Sequence, residues 1–416
     1  MQGLLELLQE MGQVDMTSLM DRMKNDWSLL HTFIEAAKND HYYFYLRELQ
    51  TGQTPRVRVN GKEMLMFTSN NYLGLSNHPY VKQRAIEAIL EFGTACCGSP
   101  MVNGYTTLHE RLSQQIAAFK GKEEALVFST GYQTNVGTIS ALVEAGDTVI
   151  IDTLNHASII DGCRLSGATL RTFSHNNMDK LERRLKESSP TGRRLVVVDG
   201  VYSMDGDLAD LPAICRLAKD YSALVMVDEA HATGVMGPRG RGVVEHYGLE
   251  GQVDIIMGTM SKSLASVGGF VAASREIINY LKHYARSFIY SAALPPPAVA
   301  AASAAIDIIE TDFPALGGRL WRNTGLFKDG LNGLGYNTLN TATPIIPVYL
   351  GGDPLTTVHM ARRLEEEGLF ISPMLPPSVQ PNKSRLRAHI SAHHSPEDIE
   401  QAVAIFDTVG KELGVI

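Results

Sequence analysis

Cysteine is scarce in this sequence, and its spacing excludes a common class of structural site. The chain has only four cysteines, Cys96, Cys97, Cys163 and Cys215, and they include no Cys-x-x-Cys pair. The one histidine-rich stretch, at 389–394, lies far along the chain from all of them. A zinc site is therefore not expected, because such sites gather cysteine and histidine ligands at short, regular spacing. We interpret the adjacent Cys96 and Cys97 as small buried side chains rather than as a redox pair.

Positive charge and long hydrophobic runs are scarce as well. Lysine and arginine number 37 against 45 aspartates and glutamates, which gives a formal net charge of −8. That balance argues against a nucleic-acid partner, since nucleic acids are held by a basic field. No stretch has the ~18 apolar residues of a transmembrane helix, and the first residues lack the basic and apolar regions of a signal peptide. We expect a cytoplasmic protein of ordinary globular composition, without a transmembrane segment.

The start of the chain has helical periodicity, and a hairpin pattern follows it. Residues 1–55 are predicted to form an N-terminal segment that is helical to about residue 50. Two interpretations of this segment stay open: it packs over another subunit, or it docks a carrier protein. Residues 55–67 predict a hairpin with an Asn60-Gly61 turn between two apolar stretches.

Short apolar runs separated by helical patterns dominate the middle of the chain. Buried strands alternating with helices predict an α/β fold with a mostly parallel, seven-stranded sheet. Ligands of such sheets bind at the carboxyl ends of the strands. The seven runs are Ala125–Ser129, Thr148–Asp152, Thr169–Ser174, Leu195–Asp199, Leu224–Asp228, Ile255–Thr259 and Phe270–Ala272.

A proline-rich stretch at 294–297 interrupts this pattern. The sequence after it predicts a smaller α+β domain at the C-terminus, and we place a large domain at 56–295 and the small domain at 296–416. Its predicted elements are helices near 298–310, 315–334 and 354–367, and strands near 344–350 and 385–391.

Two polar residues follow neighbouring strands of the predicted sheet. Lys262 comes shortly after one strand, among small hydroxyl residues, where its amine could bind an aldehyde cofactor, or the segment could be a structural loop. Asp228 ends another strand, where it could pair with a protonated pyridine nitrogen or cap the next helix. The two lie 262 − 228 = 34 residues apart, which is one strand–helix–strand unit. They are therefore expected at one edge of the sheet.

Further polar residues follow the other strand ends. Gly131 opens a helix whose N-terminal N–H groups could hold a phosphate. His156 could lie flat on an aromatic ring, although a lone histidine is more often a structural hydrogen-bonding group. His231 could bond a phenolic oxygen, and the segment 199–207 adds several polar side chains. Each signal is weak alone, and their order along successive strands strengthens them jointly.

These residues lie in motifs that together resemble the α-oxoamine synthases, pyridoxal-phosphate enzymes of the aspartate-aminotransferase fold. The resemblance extends from Tyr43 to Glu412. The motifs that carry it are SNNYLGL (69–75), STGYQTN (129–135), NHASIIDG (155–162), DGVYSMDGD (199–207), VDEAHATGVMG (227–237), GTMSKS (258–263), FIYSAALPP (288–296) and RLRAHISAHH (385–394).

The resemblance implies a fold-type I transferase that condenses an amino acid with an acyl thioester and releases CO₂. The thioester would be carried by coenzyme A or by an acyl carrier protein, and the enzyme would be a homodimer with a shared active site. The implied catalytic residues are Lys262, which carries pyridoxal 5′-phosphate as a Schiff base and moves the proton, Asp228 on the pyridine nitrogen, and the ring-stacking His156.

The resemblance also implies residues that bind the cofactor and the substrate. Arg387 would hold the amino-acid carboxylate, a task for which a bidentate guanidinium is suited; Arg385 is its rival. Asn71 lies near the mouth of the site. The implied cofactor contacts are Gly131, Tyr132, Thr259 and Ser261 to the phosphate, Ser203 and His231 to the phenolic oxygen, and Ser291 of the other subunit to the phosphate.

The sequence departs from the family pattern at two positions and leaves the substrates open. Pro100 stands where the family often has arginine, and Asp199 where it often has glutamate. The motifs look closest to bacterial serine palmitoyltransferases, which favours serine and a long acyl chain. The alternative is glycine or alanine with a short acyl-CoA or a carrier-bound chain. An aminotransferase or lyase is the competing reaction class, while Lys262 argues against an inactive regulatory subunit.

Overall fold

The computed structural model describes residues 22–189 and 191–416. The described helices are α1 (Trp27–Asn39), α2 (Pro79–Phe92), α3 (Thr107–Lys120), α4 (Gly131–Leu142), α5 (Ala157–Ser166), α6 (Met178–Lys186), α7 (Leu211–Asp220), α8 (Val243–Tyr247), α9 (Arg275–Tyr284), α10 (Arg286–Ile289), α11 (Pro296–Gly333), α12 (Pro354–Glu366) and α13 (Pro396–Glu412). The strands are β1 (Arg56–Val59), β2 (Lys62–Met66), β3 (Glu124–Phe128), β4 (Thr148–Asp152), β5 (Thr169–Phe173), β6 (Arg194–Asp199), β7 (Leu224–Asp228), β8 (Ile255–Thr259), β9 (Gly269–Ala273), β10 (Ile345–Gly352), β11 (Leu369–Phe370), β12 (Ser372–Met374) and β13 (Ser384–His389).

The seven predicted runs form one seven-stranded sheet, which confirms the fold class. Its strand order is β3-β9-β8-β7-β6-β4-β5. The adjacent strands β8, β7, β6, β4 and β5 pair in parallel. β9 runs antiparallel to both of its neighbours, β3 and β8. The middle strands are rich in valine and isoleucine and are buried on both faces, since helices cover both sides of the sheet. The order places the ends of β6, β7 and β8 side by side, and these strands carry the chemistry.

Two small sheets accompany the large one. β10, β13 and β12 form an antiparallel sheet in the C-terminal part. The predicted hairpin is confirmed as β1 and β2, and its turn residues Asn60 and Gly61 have φ of 49° and 78°. Positive φ at both positions is what a two-residue hairpin turn requires. β2 also pairs with β11, so this hairpin shares a sheet with the C-terminal part of the chain, and the domain boundaries stay predictions.

The prediction of two separate helices, at 298–310 and 315–334, is wrong, because the single helix α11 is continuous over 38 residues. Pro314 lies inside it. A proline removes one hydrogen bond, to the carbonyl four residues earlier. Here that carbonyl belongs to Glu310, and both residues are exposed, so water can satisfy the lost bond.

Two predictions about the N-terminal half need correction. Of the predicted N-terminal helical segment, α1 is confirmed, whereas residues 40–50 form no helix and residues 1–21 lie outside the described residues. The burial predicted for Cys96 and Cys97 is wrong: Cys97 is exposed with φ of 54°, and Cys96 is half-buried. Within the described ranges, no helix is both long and apolar enough to cross a bilayer.

Candidate active site

The carboxyl ends of the central strands meet around a cavity of about 350 Å³. Asp199 and Asp228 are register partners at the ends of β6 and β7, and Lys262 follows β8. The predicted site residues that line the cavity are Gly131, Tyr132, His156, Ser203, Asp228, His231, Thr259, Ser261 and Lys262. The predicted residues Asn71, Ser291 and Arg387 lie outside its wall.

Asp228 is buried and is fixed by two hydrogen bonds. Its Oδ1 accepts from the backbone N–H of Ala230 at 2.8 Å, and its Oδ2 accepts from Nδ2 of Asn135 at 2.7 Å. A buried carboxylate is costly unless its charge is balanced. The two neutral donors orient the group without neutralising it, and a cation in the cavity would do so.

Asp199 adds a second carboxyl group beside Asp228. Burial, and then the nearby charge of Asp228, raise the pKa of Asp199 well above its ordinary value. Its Oδ2 accepts a hydrogen bond from the backbone N–H of His156 at 2.9 Å. Two carboxyl groups at adjacent strand ends make this wall a good partner for a cationic ring. This pair is the observation on which the fit of a pyridoxal-phosphate ring rests.

Lys262 faces these carboxyl groups across the cavity. Burial lowers the pKa of its amine to about 8, although Asp228 and Asp199 act in the opposite direction. Within residues 22–189 and 191–416, its Nζ makes no hydrogen bond. A neutral amine is therefore available near pH 8, which is what attack on an aldehyde or removal of a proton requires.

Two histidines flank the cavity in the neutral state. Burial lowers the pKa of His156, and its Nδ1 lies 2.7 Å from Oγ of Ser158. Burial and then the charge of Lys262 lower the pKa of His231 well below its ordinary value. Nδ1 of His231 lies 2.8 Å from the hydroxyl of Tyr72. Both rings are thus held by hydroxyl groups.

The N-terminus of α4 forms one end of the cavity. Thr130 caps this helix through the N–H of Gln133, and no described residue accepts from the N–H groups of Gly131 and Tyr132. A Cβ atom at Gly131 would lie 2.9 Å from Oγ1 of Thr259, so only glycine fits there. Free N–H groups at a helix N-terminus, with hydroxyl groups of Thr259 and Ser261 beside them, suit a phosphate.

Arg387 and Arg385 lie on the same face of β13 and have different surroundings. Arg385 forms an ion pair with Asp205. Arg387 donates from Nη1 to the backbone oxygen of Ser203 at 2.9 Å, and its buried Nε has no partner in the described part of the chain. Burial lowers the pKa of Arg387. The guanidinium of Arg387 therefore retains donors for an anion, whereas that of Arg385 is already engaged.

Asn71 and Ser291 lie around the cavity rather than in it. Asn71 lines a second cavity of about 450 Å³ whose wall also includes Ser261 and Lys262. The Oγ of Ser291 accepts from Nε2 of Gln133 at 3.1 Å, on a segment whose neighbour Tyr290 is 73% exposed. The role predicted for Ser291 places it in the active site of another subunit and stays a prediction.

Two residues that orient the site were not predicted from the sequence. Asn135 bonds Asp228, and it lies one helical turn after Gly131 inside the motif at 129–135. Tyr72 contacts His231 and lies inside the motif at 69–75. Both belonged to motifs already singled out, but their partners are distant in sequence, so only the fold identifies the contacts.

Comparisons with known proteins agree on one family. The family model "Aminotransferase class I and II" matches residues 62–406. An 8-amino-7-oxononanoate synthase of Thermoanaerobacter pseudethanolicus is 44% identical over 393 residues, which cover 94% of this chain and 99% of that relative. A serine palmitoyltransferase of Bacteriovorax stolpii is 43% identical over 370 residues, 89% of this chain and 88% of its own.

Solved structures give the same result at the level of the fold. The serine palmitoyltransferase of Sphingomonas wittichii matches with a TM-score of 0.90 and 36% identity, over 93% of this chain and 98% of that one. A variant of the serine palmitoyltransferase from S. paucimobilis, solved with a bound PLP–myriocin aldimine, matches with a TM-score of 0.90 and 34% identity. That match covers 96% of this chain and 100% of that one.

Proposed function

We propose a specific reaction for this chain, which belongs to the aminotransferase class I and II family and is an α-oxoamine synthase that uses pyridoxal phosphate. The proposed reaction joins a small amino acid, with serine favoured, to a long-chain acyl thioester and releases CO₂ and the thiol. The product is an α-amino ketone. The observation that carries the proposal is the grouping of Lys262, Asp199 and Asp228 around one cavity, with Arg387 beside it.

Pyridoxal phosphate, when bound, supplies an aldehyde that links to amines and a ring that accepts electrons from the α-carbon of an amino acid. Lys262 would hold this aldehyde and afterwards take the α-proton at its Nζ. Its pKa of about 8 suits both tasks near neutral pH. Asp228 would keep the ring nitrogen protonated, and Asn135 holds its carboxylate in place. His156 would cover one face of the ring.

Arg387 would bind the carboxylate of the amino acid. Its unpartnered Nε and its position beside Lys262, whose pKa it lowers, support this role. A guanidinium can hold both carboxylate oxygens at once and so orient the α-carbon towards Lys262. The second cavity, which contains Asn71 and shares Lys262 with the first, would receive the acyl thioester.

Serine is favoured because hydroxyl, amide and imidazole groups surround Lys262. Ser203 and His156 line the first cavity and Asn71 the second, so a substrate hydroxyl would find partners. The 43% identity with a serine palmitoyltransferase supports the same choice. A second candidate is alanine or glycine with a shorter thioester. It is favoured by identities of 44–46% with several 8-amino-7-oxononanoate synthases, whose named product has an amino group next to a ketone.

We also propose that the enzyme is a homodimer with a shared site. Ser291 does not line the cavity of its own chain, and it lies on a segment with the exposed Tyr290. Met101 and Val102 are likewise exposed, at 63% and 76%. A second copy of this chain that covers these side chains could bring its Ser291 to the phosphate end of the cavity.

The test is to supply the loaded protein with serine, alanine or glycine and with acyl thioesters of increasing length. Release of CO₂ and thiol together with a ketone product supports the condensation, and the preferred pair distinguishes the two candidates. Borohydride should fix the cofactor to Lys262, and the Lys262→Ala variant should neither be labelled nor turn over. A labelled and active Lys262→Ala variant, or amino-group transfer without CO₂, would overturn the proposal.

A further inference from the structure

His175 lies between two carboxylates in a group of side chains outside the cavity. Its Nδ1 is 3.1 Å from Oδ2 of Asp152, and its Nε2 is 2.7 Å from Oδ2 of Asp207. Both ring nitrogens face carboxylate oxygens, and carboxylates only accept hydrogen bonds. The ring therefore donates from both nitrogens, which makes it an imidazolium.

The surroundings of His175 support this charge. Burial disfavours the charged ring, but the hydrogen bonds to Asp152 and Asp207 outweigh it and raise the pKa to about 9. The Asp152 side chain is fully buried, whereas that of His175 is 25% exposed. The titratable groups that face the ring are Asp152 at the end of β4, and Tyr202 and Asp207 from the loop after β6.

That loop, at 200–208, carries Ser203 to the cavity wall. The N–H of Tyr202 donates to the backbone oxygen of Asp207 at 3.0 Å, so the loop closes on itself next to His175. On its other side, the Ser203 oxygen accepts from Arg387. The loop is thus held from one side by His175 and in turn holds the guanidinium of Arg387 from the other.

We propose that His175 is a positioning residue that, through its ion pairs with Asp152 and Asp207, holds the 200–208 loop so that Ser203 fixes Arg387 for the substrate carboxylate. The inference rests on the proposed function of Arg387. Loss of the cation would leave two carboxylates facing each other without compensation, and like charges repel. The loop would then move, and with it the oxygen that orients Arg387.

The experiment compares the dissociation constant of the amino acid, measured by absorbance of the loaded enzyme, in matched variants. His175→Gln removes the cation, His175→Arg keeps one, and Asp207→Asn weakens one contact while the buried Asp152 stays. His246→Gln, at an exposed histidine on α8, is the control. We expect binding about tenfold weaker in His175→Gln and Asp207→Asn, as for the loss of a charged hydrogen bond. Binding should be close to wild type in His175→Arg and His246→Gln, and the spectrum without amino acid should not change.

The pH dependence gives a second readout. A histidine whose pKa is raised from 6.5 to about 9 contributes its ion pairs fully below pH 6.5 and loses them as the pH rises through about 9. Binding by the wild type should therefore weaken above pH 9 more than binding by His175→Arg. Equal alkaline profiles would contradict the inference.

The outcomes separate this inference from the proposed function. Arg387→Lys should weaken binding; if it does not, the proposed carboxylate role of Arg387 is wrong. If Arg387→Lys weakens binding and a folded His175→Gln does not, only the role of His175 is wrong. If His175→Gln does not fold, Asp207→Asn decides, and wild-type binding in that variant overturns the inference.

Discussion

The hydroxyl of Tyr72 lies 2.8 Å from Nδ1 of His231, although the two residues are 159 positions apart in sequence. Tyr72 is buried, and burial raises the pKa of its hydroxyl, so the O–H stays protonated. His231 is neutral, since its pKa is lowered, and a neutral imidazole has one donor nitrogen and one acceptor. No other group in the described part of the chain accepts a hydrogen bond from the Tyr72 hydroxyl, so this hydroxyl donates to Nδ1. His231 therefore carries its proton on Nε2, the nitrogen available to a phenolic oxygen in the cavity.

The Tyr72→Phe variant tests this control of the tautomer. Without the hydroxyl, either nitrogen of His231 can carry the proton, and we expect kcat to fall about tenfold, as for one lost hydrogen bond. The pH at which the visible absorbance of the loaded protein changes should shift as well. Tyr336→Phe is the matched control, because Tyr336 also loses one buried hydrogen bond, to the oxygen of Phe406. An equal spectral shift in both variants would contradict the assignment.

The second prediction concerns Asp228 and the residue that holds it. Asp228→Asn removes the charge opposite the ring nitrogen, and the loss of a buried ion pair costs about 3–5 kcal/mol, so kcat should fall roughly 10²- to 10⁴-fold. Asn135→Ala keeps the charge and removes one donor, so its effect should be smaller and in the same direction. Steady-state kinetics and titration with the cofactor measure the loss of activity and of cofactor affinity in the two variants.

Asn323→Ala serves as the control for these two variants. Asn323 is fully buried and donates to the backbone oxygens of Ser391 and His394, at a distance from the cavity wall. Its substitution should lower the melting temperature and leave the cofactor spectrum unchanged. A full loss of activity in Asn135→Ala with normal cofactor binding would show a role for Asn135 beyond orientation.

The third prediction is the pH dependence of cofactor loading. The pKa of Lys262 is lowered from 10.5 to about 8, and only the neutral amine attacks an aldehyde. The rate at which the cofactor-free protein takes up pyridoxal phosphate should therefore rise with pH up to about 8 and then level off. Stopped-flow absorbance measures this rate. A rate that keeps rising to pH 10 would mean that Lys262 has an ordinary pKa. Asp228 raises the pKa of Lys262, so the Asp228→Asn variant should level off at a lower pH.

The fourth prediction separates the two arginines of β13. Arg387→Ala should weaken amino-acid binding about tenfold or more, since a charged hydrogen bond to the carboxylate is lost. Arg385→Ala breaks the ion pair with Asp205 of the 200–208 loop, so it should lower the melting temperature and weaken amino-acid binding less than Arg387→Ala does. Spectral titration and thermal unfolding measure the two effects. The reverse result would move the carboxylate role to Arg385.

The sheet strands and the hairpin turn could be predicted because each depends on a short, local sequence pattern. The ends of the seven sheet strands were predicted to within one residue, because a buried strand between helices needs a short apolar run with polar ends. The Asn60-Gly61 turn was predictable for a similar reason, since few residues adopt positive φ. The break predicted near Pro314 failed because a proline on an exposed helix face is tolerated, and exposure is not a local property.

The sequence by itself determined the family, the cofactor and most of the residues around the cavity, since these depend on residue type at the end of each strand. Only the tertiary structure decided which of these residues touch. The order of the strands put Asp199 beside Asp228, and the packing of distant segments put Tyr72 on His231 and Asp207 on His175. The contrast between Arg385 and Arg387 was also decided there, because alternate residues of one strand share a face and differ only in their neighbours. Such contacts depend on how separate segments pack, and no single segment encodes that.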